Sequence, residues 1–230
     1  MRGRPHARPD RARAPREAAM SNDLLVIVTG AATAALALAF GVPQWLRVRR
    51  TGSVAGISLP SVTNTVVSTI AWLVYGVHLH DSWVVLTAAV GLPSLVATFV
   101  AVVRRSDERA GMWLPLTWAA LLAATAAATP WFPGLFPALL GASALWYVTP
   151  AAVTAWRSAD VSGIAAGTWL LLALDGLVAG AYGAVAGVTA YLVYCGVALV
   201  GAMVVLARVY WRWAPECGEC GPITGCTCAA

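Results

Sequence analysis

Asp175 is the one acidic residue that falls well inside an apolar run of this sequence, where a carboxyl at a helix centre costs roughly 2.5 to 3.5 kcal/mol in the membrane. Such a residue needs a partner or a task. Burial penalises the charged form, so Asp175 is a candidate for proton coupling, exchanging a proton when a cavity opens to water. The alternative is a hydrogen-bonded carboxyl that binds a ligand or packs. A second set stands upstream, where Pro60, Asn64, Ser68 and Trp72 recur every four residues and Tyr75 follows. That spacing puts them on one helix face. An indole beside amide and hydroxyl groups suits stacking on, and hydrogen bonding to, a small polar solute. Packing contacts and an interfacial tryptophan are the plainer reading. Pro43, Pro60 and Pro150 each remove a backbone donor and are candidate hinges, with fixed kinks as the alternative. His78, His80 and Asp81 lie close together in a loop, read as solvated rather than as a metal or pH-sensing group. Cys217, Cys220, Cys226 and Cys228 crowd the C-terminal tail. Their short spacing matches no zinc module well, so they are only weak metal candidates and no cofactor is expected.

The elements that carry these residues are membrane helices. Of the 230 residues 60% are hydrophobic and 11% charged, against about 25% charged in ordinary soluble domains, and the mean hydropathy is +0.74. Apolar runs of about 20 residues, each able to cross the hydrocarbon layer, recur at 24–46, 59–77, 83–103, 113–128, 136–155, 168–186 and 188–211. All fifteen basic residues are Arg. Arg47, Arg49 and Arg50 follow the first run, Arg104, Arg105 and Arg109 the third, Arg157 the fifth, and Arg208 and Arg212 close the seventh. Basic loops stay cytoplasmic, so the N-terminus is expected outside and the C-terminus in the cytoplasm, against the opposing pull of the six Arg before Met20.

Shifted by 107 residues, the sequence aligns Pro43 with Pro150, Arg50 with Arg157, Val54-Ala55-Gly56-Ile57 with Val161-Ser162-Gly163-Ile164, and Tyr75-Gly76 with Tyr182-Gly183. The same shift carries the Asn64 stripe onto Gly167, Leu171, Asp175, Ala179 and Tyr182. Two three-helix units separated by one helix would have the same orientation and face each other across an axis along the membrane normal. The expected fold class is an all-α membrane protein of seven transmembrane helices in a 3+1+3 order, two parallel three-helix repeats joined by a linker helix. The divisions are 1–20, a disordered or untranslated basic extension; 21–109, the first repeat; 110–130, the linker; 131–213, the second repeat; and 214–230, a Cys-rich cytoplasmic tail.

The run from Pro43-Gln44 to Leu59-Pro60, followed by Trp72, Tyr75 and Gly76, resembles the PQ-loop and SWEET transporter superfamily, and the second unit keeps Pro150, residues 161–164 and residues 174–183. The resemblance implies alternating access in the plasma membrane for a small solute, either a sugar or, as in cystinosin-like members, an amino acid with protons. A non-transporting receptor or adaptor of that superfamily is the other reading. Sugar carriers of the family have Asn on spans three and seven, where this chain has Ala88 or Ala89 and Cys195 or Gly196. The second-unit pocket Trp is replaced by Ala179, and the fourth hinge proline by Gly167. The substrate-binding expectation is Asn64, Ser68, Trp72, Asp175 and Tyr182. The expected partners are a small solute, protons, the lipid bilayer and a second copy of the chain. No catalytic residue, enzymatic activity or nucleic-acid partner is expected, because no paired carboxylates, His cluster or nucleotide-binding loop accompanies Asp175.

Overall fold

The computed structural model describes residues 13–106 and 111–211, and these are helical with no strand among them. In chain order the helices are α1 (Arg13–Phe40), α2 (Val42–Thr51), α3 (Leu59–Leu79), α4 (Ser82–Val103), α5 (Trp113–Ala127), α6 (Leu135–Gly141), α7 (Ala144–Arg157), α8 (Ala166–Ala186) and α9 (Thr189–Trp211). Arg109, Arg212 and the four tail cysteines lie outside the described residues. So do residues 1–12, while α1 starts at Arg13, within the segment set apart as an extension.

Six stretches are long and apolar enough to cross a membrane: Ser21–Thr51, Leu59–Leu79, Ser82–Val103, Leu135–Arg157, Ala166–Ala186 and Thr189–Trp211. The stretch read as a fourth crossing is a helix of 15 residues, Trp113–Ala127. At 1.5 Å per residue it reaches about 22 Å, short of the roughly 30 Å hydrocarbon layer. Six stretches long and apolar enough to cross and one short apolar helix therefore stand where seven full spans were expected.

Two of the long stretches are interrupted. α1 yields to α2 at Gly41, and Pro43 sits in the first turn of α2, where a missing N–H leaves no ladder bond unmade. Pro60 holds the same place in α3. Only Pro150, inside α7, and Pro93, inside α4, interrupt a helical ladder. α6 yields to α7 across residues 142–143. Two helix starts, those of α3 and α4, are capped by side chains. Ser58 accepts from the Ser61 N–H at 3.3 Å to cap α3, and Asp81 accepts from the N–H groups of Trp83 and Val84 at 2.9 and 3.1 Å to cap α4.

α4 packs against α1 and α3, and α9 packs against α8, α7 and α6. The two groups meet through α1 on α8 and α3 on α7, while α5 lies on α3. Small residues permit the closest approaches, as is usual between membrane helices. A Cβ on Gly91 would stand 3.2 Å from the Ala37 carbonyl, and one on Gly176 would stand 3.2 Å from the Ala198 Cβ. The outer surface is apolar, with Leu86, Leu116, Leu170, Leu177, Val200 and Met203 exposed, whereas Asn64, Ser68 and Asp175 are buried. That inversion is what a lipid-facing bundle requires.

Candidate polar site within the bundle

Two adjoining cavities of about 80 Å³ each run between the two groups of helices, with Phe40, Thr65, Leu95 and Tyr147 lining both. The first is closed in by Gln44, Ser61, Thr98 and Thr168. The second reaches Ser68, Trp72, Asp175, Tyr191 and Tyr194.

Asp175 comes from the middle of α8 and is only 8% exposed. The Tyr194 hydroxyl of α9 donates to its Oδ2 at 2.9 Å, and its Oδ1 is buried without a hydrogen-bond partner. Buried carboxylates normally accept hydrogen bonds on both oxygens, so Oδ1 is an acceptor the protein leaves available beside a cavity. Aromatic rings surround it. Trp72 stacks on Tyr191 with ring centroids 4.5 Å apart, and Tyr194 stands edge-on to Trp72 at 6.0 Å. Ser68 is held by the indole N–H of Trp118, which donates to its Oγ at 3.2 Å, while Trp118 stacks on Trp146.

The sequence-selected residues separate here. Ser68, Trp72 and Asp175 line the same cavity. Asn64 lines neither cavity: its Nδ2 donates to the Trp146 carbonyl at 2.6 Å, which ties α3 to α7. Tyr182 is turned to the end of the bundle, where its hydroxyl donates to Asp81. Asp81 is thus a cap and an acceptor, and His78 and His80 are exposed beside it. No group of three or more His, Cys, Asp or Glu side chains placed to hold a metal occurs among the described residues. Tyr147, Tyr191 and Tyr194 were not singled out in the sequence. Tyr191 and Tyr194 stand three apart in the first two turns of α9, a spacing that puts both on one helix face.

The opposite end is joined by Gln44. Its Nε2 donates to the Gly163 carbonyl at 2.7 Å and its Oε1 accepts from the Ala165 N–H at 3.0 Å, so one side chain of α2 completes the loop before α8. The Gly163 N–H in turn donates to the Ala55 carbonyl at 3.2 Å, placing the two sequence-equivalent loops in contact.

The family model that matches this chain is that of Effector Associated Constant Component 1, over residues 1–73 of the 230. No curated protein matches the chain, and no solved structure does. The matching family is not the PQ-loop and SWEET superfamily, and its match spans residues 43–60, which carry the first part of that resemblance. The recognition as a SWEET or PQ-loop member is therefore corrected. With it fall sugar transport by alternating access, the cystinosin-like alternative and the superfamily adaptor. The physical reason is that the prolines and glycines of the motif have local tasks. Pro43 and Pro60 begin helices, Gly52 ends α2 with φ +68° and Gly56 turns the chain with φ +77°, as any helix, turn and helix would need.

Proposed function

We propose that the protein is a membrane-embedded component of a bacterial signalling or effector system, with the cavity pair at Asp175 as its receiving site for a small ligand. The observation that carries this reading is the match of residues 1–73 to an effector-associated family, a stretch that runs through α1 and α2 into α3 of the bundle. The role is binding and coupling rather than catalysis, since among the described residues the cavities offer Asp175 neither a second carboxylate nor a histidine. The chain sits in the plasma membrane as two parallel three-helix units, α1 to α4 and α6 to α9, with α5 between them. The mirrored contacts of α1 on α8 and α3 on α7 support that arrangement. The N-terminus lies outside and the C-terminus in the cytoplasm. In support, Arg47 bonds the Ser162 carbonyl and Arg208 the Ser158 carbonyl, gathering arginines at the end of the bundle opposite His78 and His80.

The test is photo-crosslinking in bacterial membranes with benzoylphenylalanine in place of Arg49, which is exposed and lies within the matched stretch. A discrete adduct with one cytoplasmic protein is expected from position 49 and none from Leu116 on the lipid-facing side. Adducts with lipid and with the chain itself alone, at both positions, would overturn the reading.

A further inference from the structure

We propose that the cavity pair binds a small alkylammonium cation, with Asp175 as its counter-charge and the rings of Trp72, Tyr191 and Tyr194 as its walls. This ligand class rests on the reading of the cavities as a receiving site. Among the described residues Asp175 is the only charged one lining either cavity and no arginine reaches them, so an anion would meet an uncompensated carboxylate. Its Oδ1 is buried and lacks a donor. An ammonium supplies both the charge and the N–H that this oxygen lacks.

The hydrogen-bonding character of the walls points the same way. The hydroxyls of Thr33, Thr65, Thr69 and Thr98 donate to the carbonyls of Thr29, Ser61, Thr65 and Ser94 at 2.8 to 2.9 Å, and Tyr194 donates to Asp175. Hydroxyls that donate within the protein keep only lone pairs for an occupant. The Oγ1 of Thr168, in the neighbouring cavity, is buried without a partner and can donate or accept. The hydroxyls already bonded favour a donor. A neutral polyol needs donors and acceptors from its site in similar number, whereas an ammonium only donates. The rings add the faces on which cations rest, Trp most strongly. About 80 Å³ in each cavity suits a short alkyl chain and its head group.

The test is calorimetric titration of the full chain in detergent with propylammonium, and with propanol and glucose as neutral probes. Propylammonium is expected to bind at least tenfold more tightly than either. Asp175→Asn keeps an acceptor for Tyr194 and is expected to weaken propylammonium binding more than tenfold. Trp72→Leu is expected to weaken it about threefold, which keeps the test decisive should Asp175→Asn fail to fold. Propylammonium binding that neither substitution changes would overturn the site. Propanol or glucose binding as tightly as propylammonium would overturn the cationic class while leaving a receiving cavity. No binding of any probe would overturn the ligand class, and the crosslink at position 49 then reports separately on the signalling role.

Discussion

The hydroxyl of Tyr182 lies 2.8 and 2.7 Å from the two carboxylate oxygens of Asp81, so the end of α8 is bonded to the residue that starts α4. Asp81 serves two helices at once. Its carboxylate accepts the N–H groups of Trp83 and Val84 as a cap, and the phenol of Tyr182 joins the opposite group of helices to that cap. Gln44 does the equivalent work at the other end through Gly163 and Ala165. The cavity pair lies between two polar ties, each made by side chain and loop rather than by apolar packing alone.

Tyr182→Phe removes one tie and leaves the ring in place. Interhelical hydrogen bonds in membrane proteins average about 0.6 kcal/mol with a maximum near 1.7, and the charged acceptor puts this one towards the upper end. Thermal unfolding in detergent is expected to fall by a few degrees. Asp81→Asn retains an N-cap and should cost less than Asp81→Ala, which loses the cap and the tie together. In a double-mutant cycle, Tyr182→Phe and Asp81→Asn should be non-additive. Strict additivity would show that the two groups do not interact.

Gln44→Leu keeps the size of the side chain and takes away both of its bonds. The Gly163 carbonyl and the Ala165 N–H would then be unpaired in a buried loop, at a cost of about 1–3 kcal/mol. Hydrogen exchange should rise at residues 163–165 before it rises in the helices. Unchanged protection there would count against the tie. Gln44→Glu is the informative partner variant, because its carboxylate still accepts from Ala165 yet opposes the Gly163 carbonyl.

Trp118→Phe probes how α5 is held. Trp118 is fully buried, stacks on Trp146 at 4.8 Å and donates to Ser68. Phe keeps a ring for stacking and loses the donor, so a destabilisation of roughly 1 kcal/mol is expected. Ser68→Ala should cost about as much, and the pair together little more than either. If the double variant falls by the full sum, the bond carries none of the effect.

Much of this was legible because lipid imposes a simple rule. The six long apolar stretches are visible at 3.6-residue periodicity or without any, and the period-four spacing of Asn64, Ser68 and Trp72 did put all three on a buried face. Burial did not determine direction. A residue on the inner face of α3 can turn to α5, to α7 or to the cavity, and Ser68, Asn64 and Trp72 do these differently because their partners lie on helices far away in sequence. The breaks at Gly41 and residues 142–143 were hidden for a related reason: neither interrupts the run of apolar side chains that marks a span. The motif glycines and prolines were read as family marks, although each has a local backbone task that many unrelated chains would share.

Gly76 and Gly183 are sequence-equivalent, and each sits where a helix turns closely onto the next. A Cβ on Gly76 would stand 2.8 Å from the Val85 N, and one on Gly183 would stand 2.8 Å from both the Val188 carbonyl and the Tyr191 Cβ. Backbone atoms cannot swing aside as a side-chain end can, so Gly76→Ala and Gly183→Ala are each expected to destabilise by about 1–3 kcal/mol through overpacking. Gly196 is the control. It lies in α9 with nothing within 4 Å of an added Cβ, so Gly196→Ala should leave stability unchanged or raise it by up to about 1 kcal/mol through helix propensity. Tryptophan fluorescence during thermal unfolding in detergent separates the three variants. Equal midpoints for all of them would show that these close approaches relax freely, and that the turns of α3 onto α4 and α8 onto α9 do not depend on glycine.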